Sequence, residues 1–205
     1  ISYVWLGQAT FRMLPWAPDP DVRQQVRTGA VAVELLKPID LYALWYCRAV
    51  AVASAPTLLR ALPMLVLALA VLGLEPPASP ASALAWAAAT LGAMLLAASF
   101  AAMQSVVLLF TISGEGLAQL VPIMVYVLSG LVVPMPLLPE GLQQVLGWLP
   151  FRGVMDTPLR LWSGHIPPGE APALIAHQLV WTLAMMAAGR WLLGRLLRRL
   201  EVNGG

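Results

Sequence analysis

Polar positions along the chain are gathered, not scattered. Between Glu75 and Glu115 no side chain ionises, and residues 84–110 are nearly all Ala, Leu, Val, Met, Ser and Trp. A helix crosses the bilayer core in roughly 20 residues, so this run predicts a transmembrane helix over about 84–111. The uncharged run 116–139 predicts another over 117–137, and the run 171–189, interrupted only by His177, predicts a third over 172–193. A fourth run, 49–74, holds only Arg60, whose aliphatic stem can carry its guanidinium to the headgroups. It predicts a span over about 56–74, starting at Pro56 or Thr57. Residues 1–11 are apolar but too short to cross. They read as part of a truncated span ending near residue 14, so the protein as made is expected to be longer.

Two segments do not read as spans. Residues 19–37 carry their own helix signals: Asp19 as N-cap, Pro20 at the first helical position, Asp21 in the first turn and Gly29 as terminator. Val22 and Val26 share one face, with Arg23 and Arg27 beside them one turn apart. This fits a helix lying on the membrane surface or a docking element for a soluble partner. In residues 134–151, Pro134, Pro136 and Pro139 end the preceding span, and the apolar piece 141–151 is again too short to cross. Two readings remain: a hairpin that dips into the outer leaflet and lines a path, or an interfacial hairpin anchored by Trp148.

Composition sharpens the picture. Hydrophobic residues make up 60% of the chain, charged residues 11%, and the mean hydropathy is +0.78, whereas soluble domains are about a quarter charged. The expected fold class is therefore all-α, a polytopic transmembrane helix bundle. Cations accumulate in short loops that stay cytoplasmic. Arg12, Arg23, Arg27, Lys37 and Arg48 precede the first full span, and Arg190, Arg195, Arg198 and Arg199 follow the last. Both flanks are expected in the cytoplasm, with 194–205 as a tail, and four spans fit that parity. The outer side then carries the Pro-rich turn 75–82 and the longer segment 138–171, with its balanced set Glu140, Arg152, Asp156, Arg160, His165 and Glu170.

Catalytic chemistry has little support. A phosphate cradle needs glycines followed by Lys-Ser or Lys-Thr, but the only lysine is Lys37, followed by Pro38. His165 and His177 are the only histidines, Ser113 sits in Ser-Gly-Glu-Gly and not in a nucleophile elbow, and the lone Cys47 forms no internal disulfide. The spans are also poor in the intramembrane carboxylates that ion-driven carriers use. Energy for any transport would come from another subunit.

The motifs carry a resemblance. Gly29-Ala-Val-Ala-Val-Glu-Leu-Leu-Lys-Pro-Ile-Asp40 resembles the Gly…Leu-Leu-(Lys/Arg)-Pro-(Ile/Leu)-Asp pattern of ABC-2 type exporter permeases, in the subgroup of six-span subunits. Leu128-Ser-Gly-Leu-Val-Val-Pro-Met-Pro-Leu-Leu-Pro-Glu-Gly141 with Leu149-Pro-Phe151 is similar to that family's signature before the last span. Thr157-Pro158 and Trp162-Ser-Gly164 resemble the close of its external segment.

The resemblance implies a permease of the bacterial cytoplasmic membrane. It would pair with a second permease, identical or related, and with two copies of a separate ATPase subunit that binds the ATP and Mg; this chain would bind no cofactor and no nucleic acid. Residues 19–36 then fall where the family places its coupling helix. Val22 and Val26 would form the face buried in the ATPase, with Arg23, Arg27 and Glu34 as charged contacts. Gly29, Leu35, Leu36, Lys37 and Pro38 belong to the same element, and Glu115 to the same side. Gly130, Pro134, Pro136, Pro139, Trp148, Pro150 and Phe151 would form the external gate. The residues themselves, Trp86, Met94, Met103, Phe110, Met124 and Tyr126, suit an amphipathic or hydrophobic compound, as in multidrug efflux, or ordinary helix packing. A scaffold that recruits a partner through 19–37 and transports nothing is the alternative.

Overall fold

The computed structural model describes the backbone of residues 2–110 and 115–203 and the side chains of 2–109 and 119–198. The described residues are helical and contain no strand. The order is α1 (Ser2–Thr10), α2 (Pro20–Thr28), α3 (Val31–Leu35), α4 (Leu41–Ala70), α5 (Pro80–Phe110), α6 (Glu115–Leu128), α7 (Glu140–Trp148), α8 (Asp156–Trp162) and α9 (Ala171–Asn203). Short 3-10 turns occupy Phe11–Met13, Met135–Leu137, Phe151–Gly153 and Pro168–Glu170. Among the described residues, three stretches are long and apolar enough to cross a membrane, Leu41–Ala70, Pro80–Leu109 and Pro168–Arg198. The fold is a helical transmembrane bundle.

Three boundaries differ from the sequence expectation. The helix expected from 56 starts at Leu41, because Asp40 caps it: its Oδ1 accepts the Ala43 N–H at 2.8 Å. Pro56 and Pro63 lie inside α4, where neighbouring helices can compensate the lost backbone bonds. The helix expected over 117–137 stops at Leu128. Its 14 residues span about 21 Å, less than the roughly 30 Å hydrocarbon core. Gly130 follows at φ 85°, a left-handed conformation that breaks the helix. The tail expected over 194–205 instead continues α9 as far as Asn203.

α5 is the hub. In its apolar window 72% of residues are buried, against 22% in α4 and 17% in α9, so the other two lie around it. Ala89, Ala93, Ala97, Ala98 and Ala102 are buried along α5, and small residues of this kind let helices approach closely. Apolar clusters run along the bundle, two of which position the regions described below. One joins Leu6, Leu65, Leu96, Val125, Met155 and Leu159; the other joins Val22, Val31, Tyr42, Trp45, Val106 and Leu193.

Buried glutamines tie the layers together. The Gln178 amide of α9 donates to the Ala89 carbonyl of α5 at 3.0 Å and to the Gly153 carbonyl at 2.7 Å. Gly92 lies so close beneath that amide that a side chain there would collide with it. Gln104 of α5 donates to the Pro15 carbonyl at 2.9 Å.

Candidate functional site

The first candidate region is the segment leading from α2 to α4. Its local folding follows the sequence signals. Asp19 Oδ1 accepts the Asp21 N–H at 2.9 Å, Pro20 opens α2, and Gly29 closes it at φ 74°. The segment is then fastened at both ends. The Arg48 guanidinium of α4 donates to Asp19 through Nε at 2.8 Å and Nη2 at 3.2 Å, and also pairs with Asp21. At the far end, Asp40 caps α4 and also pairs with Arg190 of α9. Burial pushes the Asp19 carboxyl up, but the Arg48 bonds and the Asp21 and Val22 N–H groups outweigh it and hold it below the usual range.

The two faces of this segment differ. Val22 is 1% exposed and Val31 is buried, both packed with Tyr42, Trp45, Val106 and Leu193, and Val26 leans on the same cluster. The face expected to meet a partner is thus covered by the chain's own helices. The outward apolar residues are instead Val33, Leu35, Leu36 and Ile39, with Leu36 85% exposed and Val33 59%. At their margin Lys37 pairs with Glu34 at 2.8 Å, and Arg27, Gly29 and Pro38 are exposed while Arg23 is half-buried. Exposed apolar residues beside charged ones suit contact with a protein partner or with the membrane surface. The side chain of Glu115, and Ser113 altogether, lie outside the described residues.

The second region is the segment after α6. Asp156, 2% exposed, organises it. Its N–H donates to the Ser129 carbonyl at 2.9 Å, and its carboxylate accepts the Met135 N–H at 3.4 Å and lies 3.5 Å from Arg160. Burial pushes this carboxyl up, with Arg160 and the Met135 N–H pulling the other way. Tyr3 of α1 donates to the Gly130 carbonyl. A Cβ on Gly130 would sit 2.8 Å from that of Asp156, so both the turn and the packing require glycine.

Of the expected gate residues, Pro134 precedes the Met135–Leu137 turn, Pro136 lies in it, and Pro139 caps α7. Pro150 precedes the Phe151–Gly153 turn, where Phe151 stacks on Phe100 of α5 at 5.7 Å. The Trp148 ring is 81% exposed, on the same open side of α7 as Leu142 and Val145. Its carbonyl accepts Trp181 Nε1 at 2.9 Å and lies 3.2 Å from His177 Nε2. Trp162 stacks edge-on against Trp86 and donates to the Glu75 carbonyl at 3.0 Å.

Among the residues named for a cargo path, Met94 is buried in the core and Trp86 is packed against Trp162, while Tyr126 joins Phe11 and Trp16 in an aromatic cluster. Met103 is half-buried and Met124 exposed; the Phe110 side chain lies outside the described residues. Sequence reasoning passed over Arg48, Asp40, Arg190, Asp156 and Gln178 as anchors. A glutamine or an acid inside an apolar run was the available signal, since such groups need an internal partner.

The described residues thus form a helical membrane bundle with an anchored segment at one end and a folded cap at the other. The chain belongs to the ABC-2 family transporter proteins, whose model matches residues 9–204. That makes it a permease component of an ABC transporter and a multi-pass membrane protein. No curated protein and no solved structure matches the chain.

Proposed function

We propose that this permease works in an ATP-driven exporter of the bacterial inner membrane, with the ATP and Mg held by a separate ATPase subunit and a second permease, identical or related, completing the path. The segment 19–40 is the coupling element, on the cytoplasmic side with both chain flanks. One observation carries this reading: the segment is pinned to α4 through Asp19 and Arg48 and to α9 through Asp40 and Arg190, while an apolar patch faces away from the bundle. A surface joined to two membrane-length helices is suited to receive a push and pass it on.

Val33, Leu35 and Leu36 make the apolar contact in this scheme, with Arg27, Glu34 and Lys37 at its rim. At the other end, the cap built from Gly130 to Phe151 acts as the external gate. The chain itself binds no cofactor.

The test is co-expression with a candidate P-loop ATPase. The reading expects a stable complex whose ATPase activity depends on this chain, and ATP-dependent cargo movement in vesicles. A stable complex with a partner that carries no P-loop would instead favour a recruiting scaffold.

A further inference from the structure

Residues 14–19 run without helix between α1 and α2, beside the membrane-length helices α4 and α5. Such backbone survives near lipid only when protein covers it or it lines a cavity. Pro15, Pro18 and Pro20 each remove an N–H that would need a partner there, and Gln104 satisfies the Pro15 carbonyl. Between this segment, α4 and α5 lies a cavity of about 110 Å³.

The cavity wall is made of small residues, Ala49 and Ala53 from α4 and Ala97 and Ala101 from α5. Its polar lining is unbalanced. The Asp19 carboxylate is already held by Arg48, and the Ser105 hydroxyl donates to the Ala101 carbonyl. Arg12 is exposed at the cavity and makes no ion pair among the described residues. Trp45 also lines it with its ring. What remains is a cation beside an apolar wall. That combination suits an acceptor-rich anion with an apolar tail.

Depth selects the source. Ala49 and Ala53 lie about 12 and 18 Å along α4 from Leu41, and α4 at about 45 Å exceeds the roughly 30 Å hydrocarbon core. The cavity therefore sits where headgroups give way to acyl chains, and Val52, exposed at its edge, faces the lipid side. We propose that this cavity is a binding site for an anionic phospholipid of the inner leaflet, its phosphate on Arg12 and its upper chain along Ala49 and Ala53. The leaflet assignment rests on the orientation proposed above; the site does not depend on ATP coupling.

The test is native mass spectrometry of the purified full chain in detergent, with phosphatidylglycerol and phosphatidylcholine added at equal concentration. The wild-type chain should retain phosphatidylglycerol at least about tenfold over phosphatidylcholine, Arg12→Gln should lose that preference, and Arg195→Gln should keep it. Thermal unfolding in the same detergent checks that each variant is folded. If Arg12→Gln does not fold, Arg12→Lys should retain the preference and Ala53→Leu, which fills the cavity, should lower retention. Retained preference in folded Arg12→Gln, an equal loss in Arg195→Gln, undiminished retention in Ala53→Leu, or displacement of the lipid by inorganic phosphate would each overturn the assignment. No ATPase is present, so the result is separate from the fate of the exporter reading.

Discussion

The coupling assignment predicts that two apolar positions in one short segment behave in opposite ways. Val22 is 1% exposed and Leu36 is 85% exposed. Val22→Ala removes two buried methyl groups, worth about 0.8 kcal/mol each before the cavity is counted, so a loss of about 2 kcal/mol in stability is expected. Val33→Asp with Leu36→Asp touches only exposed side chains, and such changes alter stability by about 0.5 kcal/mol or less each. Docking is the reverse case. A leucine buried in an interface contributes about 1.5–3 kcal/mol, and each 1.4 kcal/mol is tenfold in affinity. The double change should weaken ATPase binding by roughly ten- to a hundredfold or more and abolish stimulation, at an almost unchanged melting temperature. The assay is ATPase affinity and turnover with the permease in nanodiscs, alongside thermal unfolding. A folded Val33→Asp/Leu36→Asp protein that binds the ATPase within about threefold of wild type would refute the reasoning. So would a Val22→Ala protein of normal stability that no longer couples.

Further outcomes follow from the anchors. Arg48→Met should cost about 1–2 kcal/mol, because it leaves Asp19 without its guanidinium partner, discounted for the partial exposure of Arg48; urea or thermal unfolding in detergent measures it. Asp19 is held below its ordinary range, so its contribution to wild-type stability is present above the unfolded carboxylate pKa and fades as pH falls through the depressed value; Asp19→Asn should remove that slope. Asp156 carries the opposite sign. With its carboxyl raised, its contribution is fullest below the unfolded pKa and is lost as pH rises through the folded one, so Asp156→Asn should flatten melting temperature against pH while Asp156→Ala lowers it throughout. Gly130→Ala, at φ 85° and against the Asp156 Cβ, should destabilise by about 1–3 kcal/mol; normal unfolding of that variant would contradict the turn described.

The class of fold was legible because hydropathy is a bulk property of each run, and the caps of α2 were legible because Asp19, Pro20 and Gly29 act on their own neighbours. The end of α6 was not. The sequence stays apolar through Leu131, Val132 and Val133, and the break relies on Asp156, far along the chain, holding the Ser129–Met135 turn. The start of α4 was hidden for a similar reason. Arg48 looked like a flanking charge and Pro56 like a first-turn proline, yet pairing with Asp19 and Asp21 lets Arg48 sit inside the helix. For α2, the period of Val22 and Val26 marked an apolar face but could not say whose side chains cover it. Tyr42, Trp45 and Leu193 do so, from distant helices. The patch at Val33 and Leu36 was named in part through the motif and not through its exposure, which only the packing of Val31 reveals.

The two arginine clasps have a mechanical corollary. Asp19 grips one outer helix and Asp40 grips another, on either side of a central helix that is itself mostly buried. On the proposed coupling, the segment between them would act as a rocker, with α5 as its fulcrum. On that same coupling, a force on the exposed patch would load α4 and α9 unequally, more on the nearer clasp, and the stroke would be a shear between the two outer helices.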